Sequence, residues 1–238
     1  MEHTDPGVRT AATGCVHLLP QDQRHDKLED ALGDGHARVR NAAVGALRKE
    51  TPDVSQFALK WILEENRGTP RAQNTLLGAV IETVPLSTLE SIIGNKLEDA
   101  REIHRALVMI RGQHDHQNST LKLLQHLLEE RFQQVLDITL TAMEPLCARG
   151  VISTIRAGIR TLDDRYMADA CEALHSIPHR TLTQPLGQLI QDAFMPARRT
   201  AIPSAESLEA VLQSLAMRSD AWLQECARAA LISCQGKQ

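Results

Sequence analysis

Small and apolar residues recur along the chain at n, n+3, n+4 and n+7, positions that fall within about 100° of one another on a helix. The quartet appears as Val8, Ala11, Ala12, Cys15, as Val39, Ala42, Ala43, Ala46, and as Ile103, Ala106, Leu107, Ile110. It returns as Met167, Ala170, Cys171, Leu174 and as Leu223, Cys226, Ala227, Ala230. Two further copies, Ala72, Thr75, Leu76, Ala79 and Val135, Ile138, Thr139, Ala142, each include a threonine. In a chain that is 42% apolar, chance puts such a quartet at about 3% of start positions, so the match alone carries nothing. The spacing carries the argument. The starts at 8, 39, 72, 103, 135, 167 and 223 are separated by 31, 33, 31, 32, 32 and 56 residues. A near-constant period of that size is how a stacked helical repeat array looks in sequence.

Second stripes lie between these rungs, among them Ile152, Ile155, Ile159, Leu162 and Leu208, Val211, Leu212, Leu215. Each repeat is therefore expected to be a helix pair, which predicts an all-α right-handed superhelix of about a dozen helices in one domain, 1–238. Asp5 followed by Pro6 reads as a helix N-cap and first position, Ser87 with Glu90 as a capping box, and Asp220 as the cap of the last helix. Pro85, Pro145, Pro178, Pro185 and Pro203 are expected between stripes or at their starts, where a missing N–H costs little. The stretch AFMPARRTAIP, 193–203, is the one irregular segment and predicts a loop there, which accounts for the 56-residue gap.

Composition narrows the function classes. Twenty-six Lys and Arg against 30 Asp and Glu leave a net charge of −4, the wrong sign for a general nucleic-acid or anionic-membrane binder. The six aromatics, Phe57, Trp61, Phe132, Tyr166, Phe194 and Trp222, give little material for base-stacking platforms, so the core is expected to be aliphatic. Five widely spaced cysteines without a Cys-x-x-Cys pair point away from a disulfide framework or zinc knuckle and toward a reducing, cytoplasmic compartment. Cys15, Cys171 and Cys226 are expected on buried apolar faces. The segment MEHTDPGVRT lacks the pattern of a signal peptide, and no apolar stretch reaches the ~20 residues of a membrane span.

The segments DPGVRTAATGC from Asp5 and HARVRNAAVGAL from His36 resemble the Asp-x-x-Val-Arg-x-x-Ala-x-x-x-Leu pattern of HEAT repeats, of the short bacterial kind. ADACEALHSI from Ala168 and DAWLQECARAAL from Asp220 are similar to the HEAT domain attached to bacterial nucleotide-transporter-like membrane proteins. The first resemblance implies a HEAT-like solenoid. The second implies a soluble cytoplasmic module, tethered to the inner membrane within a longer protein. Because the chain enters a repeat helix almost at once, truncation or a homo-oligomeric contact at that end is a further expectation.

Asp34, Arg9 and Arg40 fit the inter-repeat ladder of such arrays and read as structural rather than catalytic. His114, Asp115 and His116, with His126 and Glu129 downstream, form the densest set of potential metal ligands, yet no third ligand stands at a fixed spacing, and the reading is a polar loop with no metal. Glu129 with Glu130 is expected on a solvated helix end. Nucleophile-elbow, phosphate-loop, dinucleotide and zinc-protease motifs do not occur, so neither an enzyme nor a cofactor is expected. Arg149, Arg156 and Arg160, spaced by seven and four residues beside an apolar stripe, with Arg198 and Arg199 in the irregular segment, form a candidate surface for an acidic partner or phosphate, against the structural reading, the favoured one, in which the row pairs with Glu144, Asp163 and Asp164 at the ends of the same helix.

The sequence therefore points to a non-enzymatic interaction or regulatory module that binds a protein partner or its own membrane domain. The alternative is a HEAT-type nucleic-acid enzyme resembling the alkyl-base DNA glycosylases, which the negative charge disfavours. A chromophore-lyase partner resembling the phycobilin lyases is a third class, resting on fold analogy.

Overall fold

The computed structural model describes residues 3–51, 53–64, 69–112, 118–161, 163–194, 207–217 and 220–235. Among them it is all-helical, with twelve α-helices and no strand. They are α1 (Pro6–Gly14), α2 (Gln21–Leu32), α3 (Ala37–Glu50), α4 (Val54–Leu59), α5 (Pro70–Val80), α6 (Leu86–Arg111), α7 (Ser119–Met143), α8 (Val151–Thr161), α9 (Asp164–His175), α10 (Arg180–Phe194), α11 (Leu208–Ala216) and α12 (Ala221–Gln235). A π-helical turn, Lys60–Glu64, continues α4. No helix of the described residues is long and apolar enough to cross a membrane.

The chain divides into two compact units, residues 1–94 with 137–152, and residues 95–136 with 153–238. In the first, α3 packs against α1, α2 and α5, and the core is built from Leu28, Leu32, Val39, Leu47, Leu76 and Leu77. In the second, α9 packs on α10 and α11 on α12, and Leu124, Leu128, Ile155, Leu174, Ile190 and Leu212 are buried. Both cores are aliphatic, as the composition predicts. Phe132 is a buried aromatic of the second, tilted against His104 at 5.8 Å and Phe194 at 5.9 Å between ring centroids.

Six of the seven rungs turn their apolar residues inward; those starting at Ile103, Val135 and Leu223 are buried throughout. The first rung, Val8, Ala11, Ala12 and Cys15, is exposed instead. The helix-pair expectation also needs correction. At the rungs starting at Ile103 and Val135, the rung and the preceding segment are one continuous helix, 26 residues in α6 and 25 in α7. No proline falls between Leu86 and Met143 to force a break. Glu129 and Glu130 consequently lie in the middle of α7 rather than at a helix end.

Asp5 caps α1 through a 2.7 Å bond accepted from the Gly7 N–H, and Asp220 accepts from the Leu223 N–H at 3.2 Å. The capping box is not at Ser87. α6 starts one residue earlier, and the Pro85 carbonyl accepts from Thr88 and Leu89. Pro185 stands inside α10, past the first turn, where its ring removes an intrahelical bond. The predicted loop also starts later, since Ala193 and Phe194 still belong to α10; Pro203 and the rest of that segment lie outside the described residues.

Two glycines are required by backbone geometry. Gly150, with φ 94°, makes the left-handed turn that leads into α8. Gly158 is where α8 meets α9: a Cβ there would stand 2.6 Å from the Tyr166 carbonyl oxygen and 2.7 Å from the Ala170 Cβ.

Candidate functional site

α1 presents two opposed stripes, and only one can face α3. Arg9, Thr10 and Thr13 take the packed side, with Thr13 fully buried. Both hydroxyls are satisfied within the helix, Thr10 Oγ1 donating to the Pro6 carbonyl at 2.8 Å and Thr13 Oγ1 to the Arg9 carbonyl at 2.7 Å. Arg9 fixes the orientation. Its guanidinium grips both oxygens of Asp34, at 2.7 and 3.0 Å, and donates to the carbonyls of His3 and Thr4. The bond from Arg9 holds the Asp34 carboxyl below its ordinary range, aided by the His36 N–H. Arg40 donates to the carbonyls of Asp34 and Gly35, not to the Asp34 carboxylate. The ladder residues thus meet as a structural link at the α2–α3 turn.

This link turns the rung Val8, Ala11, Ala12, Cys15 outward, against the expectation that it is buried. Val8 is 45% exposed, Ala11, Ala12 and Cys15 are exposed, and Leu18 in the short turn after α1 is 74% exposed. The result is an apolar helix face on the surface, and Cys15 is an exposed thiol rather than a core residue.

The same unit contains a cavity of about 270 Å³. Its floor is Leu28, Leu32 and Leu47, all buried. One side is an aromatic stack in which His25 lies on Phe57 at 5.9 Å and Phe57 on Trp61 at 6.4 Å. Glu29 and Lys60 bring one charge of each sign to the lining. α2 supplies His25, Leu28, Glu29 and Leu32 at the n, n+3, n+4, n+7 spacing, so two polar residues occupy apolar places of a rung. The facing wall combines Phe57 from α4 with Lys60 and Trp61 from the π turn.

No family model, curated protein or solved structure matches the chain. The reading of its sites therefore rests on the geometry.

Of the basic row, only Arg156 and Arg160 lie on α8; Arg149 precedes it, exposed, beside Gly150. Arg160 is exposed, whereas Arg156 is half-buried and engaged within the protein. Asp163, an acidic residue just past the row, caps α9 by accepting from the N–H groups of Arg165 and Tyr166. Arg198, Arg199, His114, Asp115 and His116 lie outside the described residues. Among the described residues no cluster of three or more potential metal ligands occurs. Glu129 is held by Arg111 and Gln125, each at 2.8 Å, and its carboxyl lies below its usual value: burial opposes the shift, and the bonds from Arg111 and Gln125 outweigh it.

Sequence reasoning missed the cavity. The signal that could have found it was the His and Glu interrupting the α2 stripe, together with Phe57 and Trp61 at i, i+4 in a chain with six aromatics.

Proposed function

We propose that this chain is a non-enzymatic interaction module whose α1 face docks a helix of a partner protein. One observation carries the reading. The quartet pattern that faces protein in the other rungs stands exposed in α1, while a stripe containing Arg9 and two threonines packs on α3. An apolar helical stripe with alanines at its centre lets another helix approach closely, and exposed apolar patches mark interaction surfaces. The repeat period near 32 residues and the helical content support a HEAT-like superhelix as the framework. The likeness of the C-terminal half to the HEAT domain of nucleotide-transporter-like proteins supports a cytoplasmic place beside a membrane domain. Arg149, Arg156, Arg160, Arg198 and Arg199 would then supply a second contact for acidic segments. The net charge of −4 favours this reading over a DNA-binding enzyme.

Ala12→Glu tests it. Because Ala12 faces solvent on α1, the variant should melt within a few degrees of the wild type and lose the partner that the wild type co-purifies with. Retained binding, or a collapse of stability from a buried charge, refutes the α1 face.

A further inference from the structure

We propose that the cavity between α2, α3 and α4 is a binding site for a small zwitterionic aromatic molecule, of the chemical class of a free aromatic amino acid. Size comes first. The pocket is partly open to solvent, with His25 and Lys60 exposed, and its volume of about 270 Å³ exceeds that of an enclosed apolar cavity of about 150 Å³ that takes up benzene, so one ring fits against the leucines while a short polar tail reaches the mouth. Shape and chemistry agree: a leucine floor and an aromatic wall suit a flat hydrocarbon body, and few polar groups stand at the margin, which is the usual constitution of a ligand site.

The charges select the tail. Glu29 and Lys60 carry opposite signs in the same lining, so a ligand with one charge would meet a like charge as well as an opposite one. A zwitterion meets both favourably, its ammonium toward Glu29 and its carboxylate toward Lys60. Each of these residues already holds an interaction inside the chain, so the ligand exchanges partners rather than filling an unsatisfied group. The second, independent observation is the π turn. Such turns are rare and frequently lie at functional sites, and this one carries Lys60 and Trp61 into the lining. Leu47 ties the cavity to α3, the helix that also supports α1, but the site is separate from the α1 face and stands or falls without it.

The test uses the full chain carrying Trp222→Phe. That change removes a tryptophan that is 73% exposed and leaves Trp61 as the single indole. L-Phenylalanine, which is dark under indole excitation, is titrated against Trp61 emission, beside phenethylamine, 3-phenylpropionate and ethylbenzene. Saturable quenching or a spectral shift by L-phenylalanine is expected, with phenethylamine and 3-phenylpropionate each at least about tenfold weaker, since each lacks one charged contact. Glu29→Gln with Lys60→Met should bring L-phenylalanine down to the level of ethylbenzene. No saturation by 10 mM L-phenylalanine overturns the proposal. So does a singly charged analogue that binds as tightly, or an unchanged affinity in the double variant. If the double variant does not fold, the analogue series on the parent chain decides.

Discussion

Asp34 shows how one side chain sets which face of a helix is packed. Its carboxylate is 12% exposed and bound by two of the three Arg9 guanidinium nitrogens, Nε and Nη2, so the charged form is favoured in the folded state. A carboxyl whose value is depressed by folding stabilises at pH above its unfolded value of about 3.9, and that contribution is lost as pH falls through its folded value. Asp34→Asn should therefore lower the melting temperature at pH 7, with a gap to the wild type that closes on acidification; a gap that is constant with pH would contradict the link. Cys147 is the opposite case. Burial, and secondarily the charge of Glu144, push its thiol up to about 11, and Sγ donates to the Met143 carbonyl at 3.1 Å. At pH 8 iodoacetamide should label Cys15, which is exposed, well before Cys147, which becomes reactive on unfolding. Peptide mass spectrometry of partially labelled protein checks the order, and early labelling of Cys147 would refute it.

At the scale of elements, periodicity located the helices but not their joints or their neighbours. The rungs at Ile103 and Val135 are buried as read, yet each sits in a helix of 25 residues or more, because no proline ends the preceding segment and the Gly94-Asn95 pair, a turn signal in sequence, is carried inside α6. The α1 stripe was legible as a stripe; its direction was not, since it depends on a bond between Arg9 and Asp34, 25 residues apart. The cavity depends likewise on a π turn that no residue preference announces. Close approach is also non-local. Nothing in VISTIRAGIRT says that Gly158 meets the next helix, but a Cβ there overlaps backbone of α9, which cannot yield as a flexible side chain can. Gly158→Ala should thus destabilise by about 1 to 3 kcal/mol despite the better helix propensity of alanine. Gly45, on α3 with nothing within 4 Å of its Cβ position, is the control, where alanine should stabilise slightly. Equal effects at the two sites in chemical denaturation would show that the α8–α9 contact is looser than described.

The whole molecule consists of two compact units, and cooperativity between them is a measurable property. Leu174, 1% exposed, anchors α9 in the second unit on the rung with Met167 and Ala170. Leu174→Ala removes buried methyl groups and leaves a cavity, at a cost of about 2 to 5 kcal/mol. How that cost spreads depends on architecture. Under the proposed repeat architecture each element interacts chiefly with its neighbours, so lost stability lowers the free energy of local opening near the lesion before it reaches distant helices. Hydrogen exchange in the variant should accelerate most in α9 and α10, which pack on each other, while α2, α3 and α5 of the first unit keep wild-type protection. A uniform acceleration from α2 to α12 would mean that the two units unfold as one cooperative block, and the nearest-neighbour account of the fold would have to be abandoned.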